Sequence, residues 1–149
     1  MKHTNEIALS FMSKSSNEGF ARSAVAAFAA QLDPTLDELN DIKTAVSEAV
    51  TNCIVHAYPN SVEKIHIRVR LFEDNTIEIM IKDRGLGIPD IEIARTPMFT
   101  TGDSERSGMG FTIMESFMDT LQVRSKQGRG TTVTMKKRIS TRLSGRQSI

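Results

Sequence analysis

Hydrophobic positions along the chain fall into a short succession of periodic blocks. Ile7, Leu9 and Phe11 alternate with Ala8, Ser10 and Met12, the two-residue period of a half-buried strand. After the polar residues 13–16, Asn17 stands where an N-cap would, before a run of good helix formers over about 18–31. In that run Phe20, Ala24, Ala27, Phe28 and Gln31 recur at helical spacing. Leu32-Asp33-Pro34 ends it, because the residue before a proline resists the helical region. Thr35 opens a longer helix with Glu38 in capping-box position, and Leu39, Ile42, Val46, Ala49, Val50 and Cys53 mark its apolar face. Tyr58-Pro59-Asn60 stops it.

The period then returns to two. Ile65, Ile67, Val69 and Leu71 alternate with His66, Arg68 and Arg70. Beyond Asp74-Asn75, Ile77, Ile79 and Ile81 alternate with Glu78, Met80 and Lys82, which predicts a hairpin. Residues 83–89 (DRGLGIP) break the pattern. A short helix is expected at 90–95, a polar stretch at 96–110, a helix at 111–119, and a second hairpin from strands at 121–125 and 131–138. The order strand, helix, helix, hairpin, glycine loop, helix, hairpin predicts an α+β fold, a two-layer α/β sandwich with one mixed sheet and its helices on one face. Neither a repeat nor a linker divides it, so residues 1–138 read as a single domain and 139–149 as a frayed basic tail.

Composition narrows the classes. With 39% hydrophobic and 25% charged residues in 149, the chain can build one core and is too apolar for a disordered one. The net charge of +1 argues against a dedicated nucleic-acid binder or a polybasic membrane module. That value hides an asymmetry: Lys136, Lys137, Arg138, Arg142 and Arg146 give residues 136–149 a local +5, leaving 14 bases against 18 acids elsewhere. The single cysteine, Cys53, excludes an internal disulfide and a multi-cysteine metal site and suits a reducing cytosol. No apolar run approaches a membrane span, so a cytoplasmic protein is expected.

Five of nine glycines cluster, as Gly85 and Gly87 and as Gly102, Gly108 and Gly110. Neither cluster completes G-x-x-x-x-G-K-[ST] or G-x-G-x-x-G, and Asp83-Arg84-Gly85 has no H-R-D loop beside it. A P-loop ATPase, a Rossmann enzyme and a eukaryotic-type kinase are therefore disfavoured. Ser107-Gly108-Met109-Gly110 runs into a predicted helix, which would turn free N–H groups towards a phosphate; a plain glycine-rich loop is the alternative. On the long helix Glu48, Asn52 and His56 are spaced i, i+4, i+8. A carboxylate can serve as general base, and an amide oxygen is a hard ligand suited to Mg²⁺; a solvated polar face is the alternative. Thr51, Asn52 and His56 are poor helix formers, which suggests another reason for their presence.

Glu48-x-x-x-Asn52-x-x-x-His56, Asp83-x-Gly85-x-Gly87, Gly108-Met109-Gly110-Phe111 and Gly130-Thr131-Thr132 occur in that order. Together they resemble the N box, the two glycine boxes and the terminal G-T element of the GHKL ATP-binding superfamily, with its Bergerat fold. FARSAVAAFAAQLDPTLDEL, SEAVTNCIVHAY and ERSGMGFTIMESFMD narrow the resemblance, over about residues 17–132, to the anti-sigma F factors of endospore-forming bacteria. That family implies a serine kinase that sequesters a sporulation sigma factor and phosphorylates its anti-anti-sigma partner with Mg-ATP, ATP/ADP and Mg²⁺ being its cofactors.

The resemblance also implies roles. Asn52 would hold Mg²⁺ against the ATP phosphates, and Glu48 would be the base for the attacking serine. Asp83 would accept from the adenine amino group, with Thr131 helping through water. Gly85 and Gly87 would let the backbone pass the base, and Gly108, Met109 and Gly110 would donate to phosphates. His56, Ile88, Ser107 and Phe111 complete the nucleotide-binding set. Residues 96–107 would form a lid in which Thr100 and Thr101 bond phosphate oxygens and Arg106 neutralises γ-phosphate charge. The chain departs from many relatives in having Gly102, not lysine, after Phe99-Thr100-Thr101. Arg22 would contact both protein partners, and the first strand, at a sheet edge, would pair a homodimer. Met80, Met109 and Met114 are candidates for the adenine pocket or for core filling. The competing readings are an ATP-gated sigma-binding module without catalysis and a histidine-kinase-type catalytic domain.

Overall fold

The structure, a computed structural model, describes residues 2–88 and 110–140. Five strands form one sheet: β1 (His3–Met12), β2 (Lys64–Phe72), β3 (Thr76–Asp83), β4 (Thr120–Lys126) and β5 (Gly130–Arg138). Their spatial order is β1-β2-β3-β5-β4, with every described pairing antiparallel. Among the described residues three α-helices, α1 (Glu18–Ala29), α2 (Leu36–Asn52) and α3 (Gly110–Phe117), pack against one face. The two-layer α+β sandwich is as expected.

The sheet is antiparallel rather than mixed, and connectivity explains why. A pair of helices separates β1 from β2, so the chain re-enters the sheet reversed. The β3-to-β4 crossover does leave those two strands parallel in direction. However, β5 inserts between them and pairs antiparallel with both.

Alternation divides the sheet's two faces. Ile65, Ile67, Val69 and Leu71 of β2 and Ile77, Ile79 and Ile81 of β3 are buried beneath Val25, Phe28, Ile42, Val46 and Val50 of the helices. On the opposite face Arg68 and Arg70 reach Glu6 of β1 at 3.1 and 3.6 Å. Met80 also lies on that face, lining a depression of about 380 Å³ with Ala8, Arg68 and Lys82, whereas Met114 is fully buried in the core. Met80 is thus removed from any pocket at Asp83, and Met114 is a core filler.

Two local expectations on α1 change. Asn17 does stand at the N-cap position before Glu18, but its side chain makes no cap bond: the residue ends a 3₁₀ turn, Ser15–Asn17, in helical conformation, and its amide donates to the Met12 carbonyl at 2.9 Å. The buried stripe is Ala21, Val25, Phe28 and Ala29, one position round from the one read, and it leaves Phe20 61% exposed. The small side chains of Ala21, Val25 and Ala29 allow α1 to lie close on α2, which outweighs burying one more ring.

The capping box on α2 is present. Thr35 Oγ1 accepts from the Glu38 N–H at 3.1 Å, and Glu38 Oε1 accepts from the Thr35 N–H at 2.9 Å. Glu38 also receives the Ser140 N–H at 2.9 Å, just after the fully buried Ile139, so the described body runs beyond the end of β5. No helix among the described residues is long and apolar enough to cross a membrane. Thr35→Ala is expected to cost about 1 kcal/mol, the usual worth of an N-cap, as a lowered urea midpoint at unchanged m.

Candidate nucleotide-binding site

The site gathers where the end of α2 meets the end of β3. Glu48 and Asn52 are half-buried, one helical turn apart on the same face of α2. The helix then widens into a π turn, Cys53–Ala57, in which the Tyr58 N–H bonds the Cys53 carbonyl at 3.1 Å. His56 lies in this turn, half-buried, so the wider pitch carries it off the ideal line through Glu48 and Asn52.

Asn52 faces the first residue of α3. A Cβ on Gly110 would sit 3.1 Å from Asn52 Oδ1 and 3.2 Å from Nδ2, so the bare backbone there is what lets the amide approach. Phe111, next in the chain, is buried in the core and fastens the start of α3.

Cys53, next to Asn52, faces Asp83 instead. Its Sγ lies 3.5 Å from Asp83 Oδ2. Asp83 is 5% exposed, and its Oδ1 accepts from the Gly85 N–H at 2.9 Å and the Thr131 N–H at 3.2 Å. Burial pushes the Asp83 carboxyl above its ordinary range, although the donors Gly85, Cys53 and Thr131 work against that shift. Burial, reinforced by the charge of Asp83, holds the Cys53 thiol well above its ordinary value, so it stays protonated and inert as a nucleophile. Buried and acceptor-rich, Asp83 suits a donor such as an exocyclic amine.

The loop carrying Gly85, Gly87 and Ile88 is stitched on both sides. A Cβ at Gly85 would overlap the Ala57 carbonyl, so glycine is required where the loop crosses the π turn. The Leu86 N–H reaches the Ala57 carbonyl at 3.1 Å, and the Leu86 carbonyl accepts from the Gly128 N–H at 2.7 Å. The Arg84 N–H donates to the Tyr58 hydroxyl at 2.6 Å, and that hydroxyl donates to the Lys64 carbonyl at 3.1 Å. The Ile88 N–H donates to Ser125 Oγ at 2.7 Å. Tyr58 and Ser125 were not among the expected site residues. Tyr58 read only as a helix stop, and Ser125 gave no signal beyond its place six residues before Thr131.

Arg22 lies on α1, with Nη1 3.1 Å from Glu18 Oε1 and 3.2 Å from Ser47 Oγ, the residue before Glu48; Ser47 Oγ in turn donates to Glu18. Thr100, Thr101, Arg106, Ser107, Gly108 and Met109, with the expected short helix at 90–95, lie outside the described residues. Among the described residues no cluster of three or more His, Cys, Asp or Glu could hold a metal ion. The one hard oxygen of Asn52 beside Gly110 fits Mg²⁺ that arrives with phosphates supplying other ligands.

A domain family described as a histidine kinase-like ATPase domain matches residues 13–137. An anti-sigma F factor of Caldanaerobacter subterraneus subsp. tengcongensis is 58% identical over 140 residues, 93% of this chain and 97% of that protein. One from Geobacillus kaustophilus is 56% identical over 140 residues, 91% of this chain and 94% of that protein. Among solved structures, the RsbU and RsbW domains of a Mycobacterium tuberculosis protein superpose with a TM-score of 0.68 at 20% identity, covering 93% of this chain and 33% of that one. The mycobacterial sensor histidine kinase MprB gives a TM-score of 0.56 at 15% identity, over 91% of this chain and 99% of that one. These two likenesses are of fold.

The raised Asp83 carboxyl makes a signed pH prediction. Between its ordinary value of 3.8 and its raised native value, the folded chain binds more protons than the unfolded one. Stability therefore falls as pH rises through that window. Asp83→Asn is expected to remove this contribution, seen as a difference between the wild-type and variant profiles of unfolding free energy across the acid range. Parallel profiles would place the carboxyl at its ordinary value.

Proposed function

Since the chain belongs to the histidine kinase-like ATPase domain family and, within it, to the anti-sigma F factors, we propose that it is an ATP-dependent protein-serine kinase that also sequesters sigma F. The observation that carries this reading is the placement of consecutive residues, Asn52 against Gly110 and Cys53 against Asp83. One helix end thereby joins a hard-ligand, phosphate-facing position to a buried acceptor for a base.

In this reading Asp83 accepts from the adenine amino group and Thr131 assists from the neighbouring strand. The Asn52 oxygen holds Mg²⁺, and Gly110, where α3 begins, presents backbone beside it. When bound, Mg²⁺ neutralises phosphate charge and aligns the transferred group. Glu48, one turn before Asn52, takes the proton of a serine hydroxyl on the anti-anti-sigma partner as that oxygen attacks the γ-phosphorus and ADP leaves. The protein acts in the cytoplasm.

Sigma F and the anti-anti-sigma protein are assigned to the surface around Arg22, a part-exposed cation already balanced by Glu18. A partner carboxylate there would compete with Glu18. β1 lies at the edge of the sheet, paired only with β2 among the described strands, which supports strand addition by a second copy.

Incubation with Mg²⁺, labelled ATP and the anti-anti-sigma protein should place label on a serine of that partner. Glu48→Gln is expected to retain ATP and sigma binding while transfer falls by about 10² to 10⁴-fold, the usual worth of a general base. Undiminished transfer would refute the base assignment, and label on a histidine would favour a histidine-kinase chemistry. Asn52→Asp is expected to weaken Mg-ATP binding, measured by equilibrium titration. Unaltered affinity would count against the ligand role.

A further inference from the structure

Ser125 Oγ has three polar neighbours: the Ile88 N–H at 2.7 Å, the Gly130 carbonyl at 3.0 Å and Thr131 Oγ1 at 2.8 Å. The first can only donate, the second can only accept, and the third can do either. Ser125 has a single hydrogen. If that hydrogen went to Thr131, the Ser125 and Gly130 oxygens would face each other with no proton between them. If it goes to the Gly130 carbonyl, Thr131 supplies the hydrogen in the remaining contact and all three bonds form. The second arrangement wins, because it leaves no acceptor pressed against an acceptor in a half-buried setting.

The consequence reaches the base-recognition corner. Thr131 is 8% exposed and pairs in register with both Ser125 of β4 and Asp83 of β3, so the three side chains share one cross-strand row. With its proton committed to Ser125, the Thr131 hydroxyl has only lone pairs left to offer. The ionised carboxylate of Asp83 likewise only accepts. We infer that Ser125 is a specificity-determining positioning residue: by claiming the Thr131 proton it makes the corner acceptor-only, which matches a 6-amino purine, directly or through a bridging water, and mismatches a 6-oxo purine. This rests on the reading of Asp83 and Thr131 as the adenine site.

The test compares binding of ATP and inosine triphosphate, which carries a 6-oxo group on the same purine ring, in the presence of Mg²⁺ by equilibrium titration. Wild type is expected to prefer ATP. Ser125→Ala frees the Thr131 proton to donate to a 6-oxo group, and the ATP preference is expected to shrink by up to about tenfold, the worth of one hydrogen bond. Ser125→Thr, which restores a hydroxyl, is expected to keep the preference. A merely structural loosening through the Ile88 contact would weaken both nucleotides alike, and an unchanged ratio in Ser125→Ala would overturn the inference while leaving the adenine site standing. A wild type without preference for ATP would overturn the adenine reading itself, and the inference with it.

Discussion

A carboxylate that is almost wholly buried has to be supplied with donors, and Asp83 imposes that requirement on everything around it. Its Oδ1 takes one N–H from Gly85, two residues on, and one from Thr131, on a strand 48 residues later in the chain. The first bond needs a tight turn that passes the Ala57 carbonyl without a Cβ. The second needs β5 to lie beside β3. A sheet in which β4 followed β3 directly would leave Oδ1 one donor short, so the insertion of β5 serves the site as well as the core. The Cys53 thiol then covers Oδ2 with a donor weak enough to be displaced or shared.

Most of the scaffold was legible because it depends on short-range periodicity. Ile65 to Leu71 and Ile77 to Ile81 announce their buried face by alternation, and Thr35 with Glu38 announces a helix start by chemistry that spans three residues. Misreadings arose where tertiary contact chose between locally equivalent patterns. On α1 two stripes of apolar residues compete, and the sequence has no means of knowing that the facing helix favours the one built from Ala21, Val25 and Ala29. Sheet direction failed for a similar reason, since a helical crossover makes β3 and β4 parallel but does not make them neighbours.

The site shows the same division. Glu48 and Asn52 stood out by residue type and helical spacing and Gly85 and Gly110 by clustering, whereas Asp83 was marked only by the family resemblance. Tyr58 and Ser125 stayed hidden because their roles are bonds across 26 and 37 residues of chain. Nothing in a tyrosine after a helix, or a serine before a turn, specifies an N–H on a distant loop. A hydroxyl with one hydrogen and three neighbours becomes informative only when all three are seen together.

Position of the two working ends relative to each other follows from α2. Successive helix residues point about 100° apart, so Asn52 and Cys53 address different elements, α3 and β3, from adjacent places on the chain. No flexible segment intervenes between them. The separation of the Asp83 corner from the Asn52–Gly110 contact is therefore set by one peptide unit and by the packing of α2 on the sheet, where Val46, Ala49 and Val50 are all but fully buried. The π turn that follows lets the chain leave α2 while Tyr58 and Ala57 still hold the loop through Arg84 and Leu86. A substitution that rotated this helix end would shift both the Asn52–Gly110 and the Cys53–Asp83 contacts at once, whereas changes at Ser125 or Thr131 touch the Asp83 corner alone.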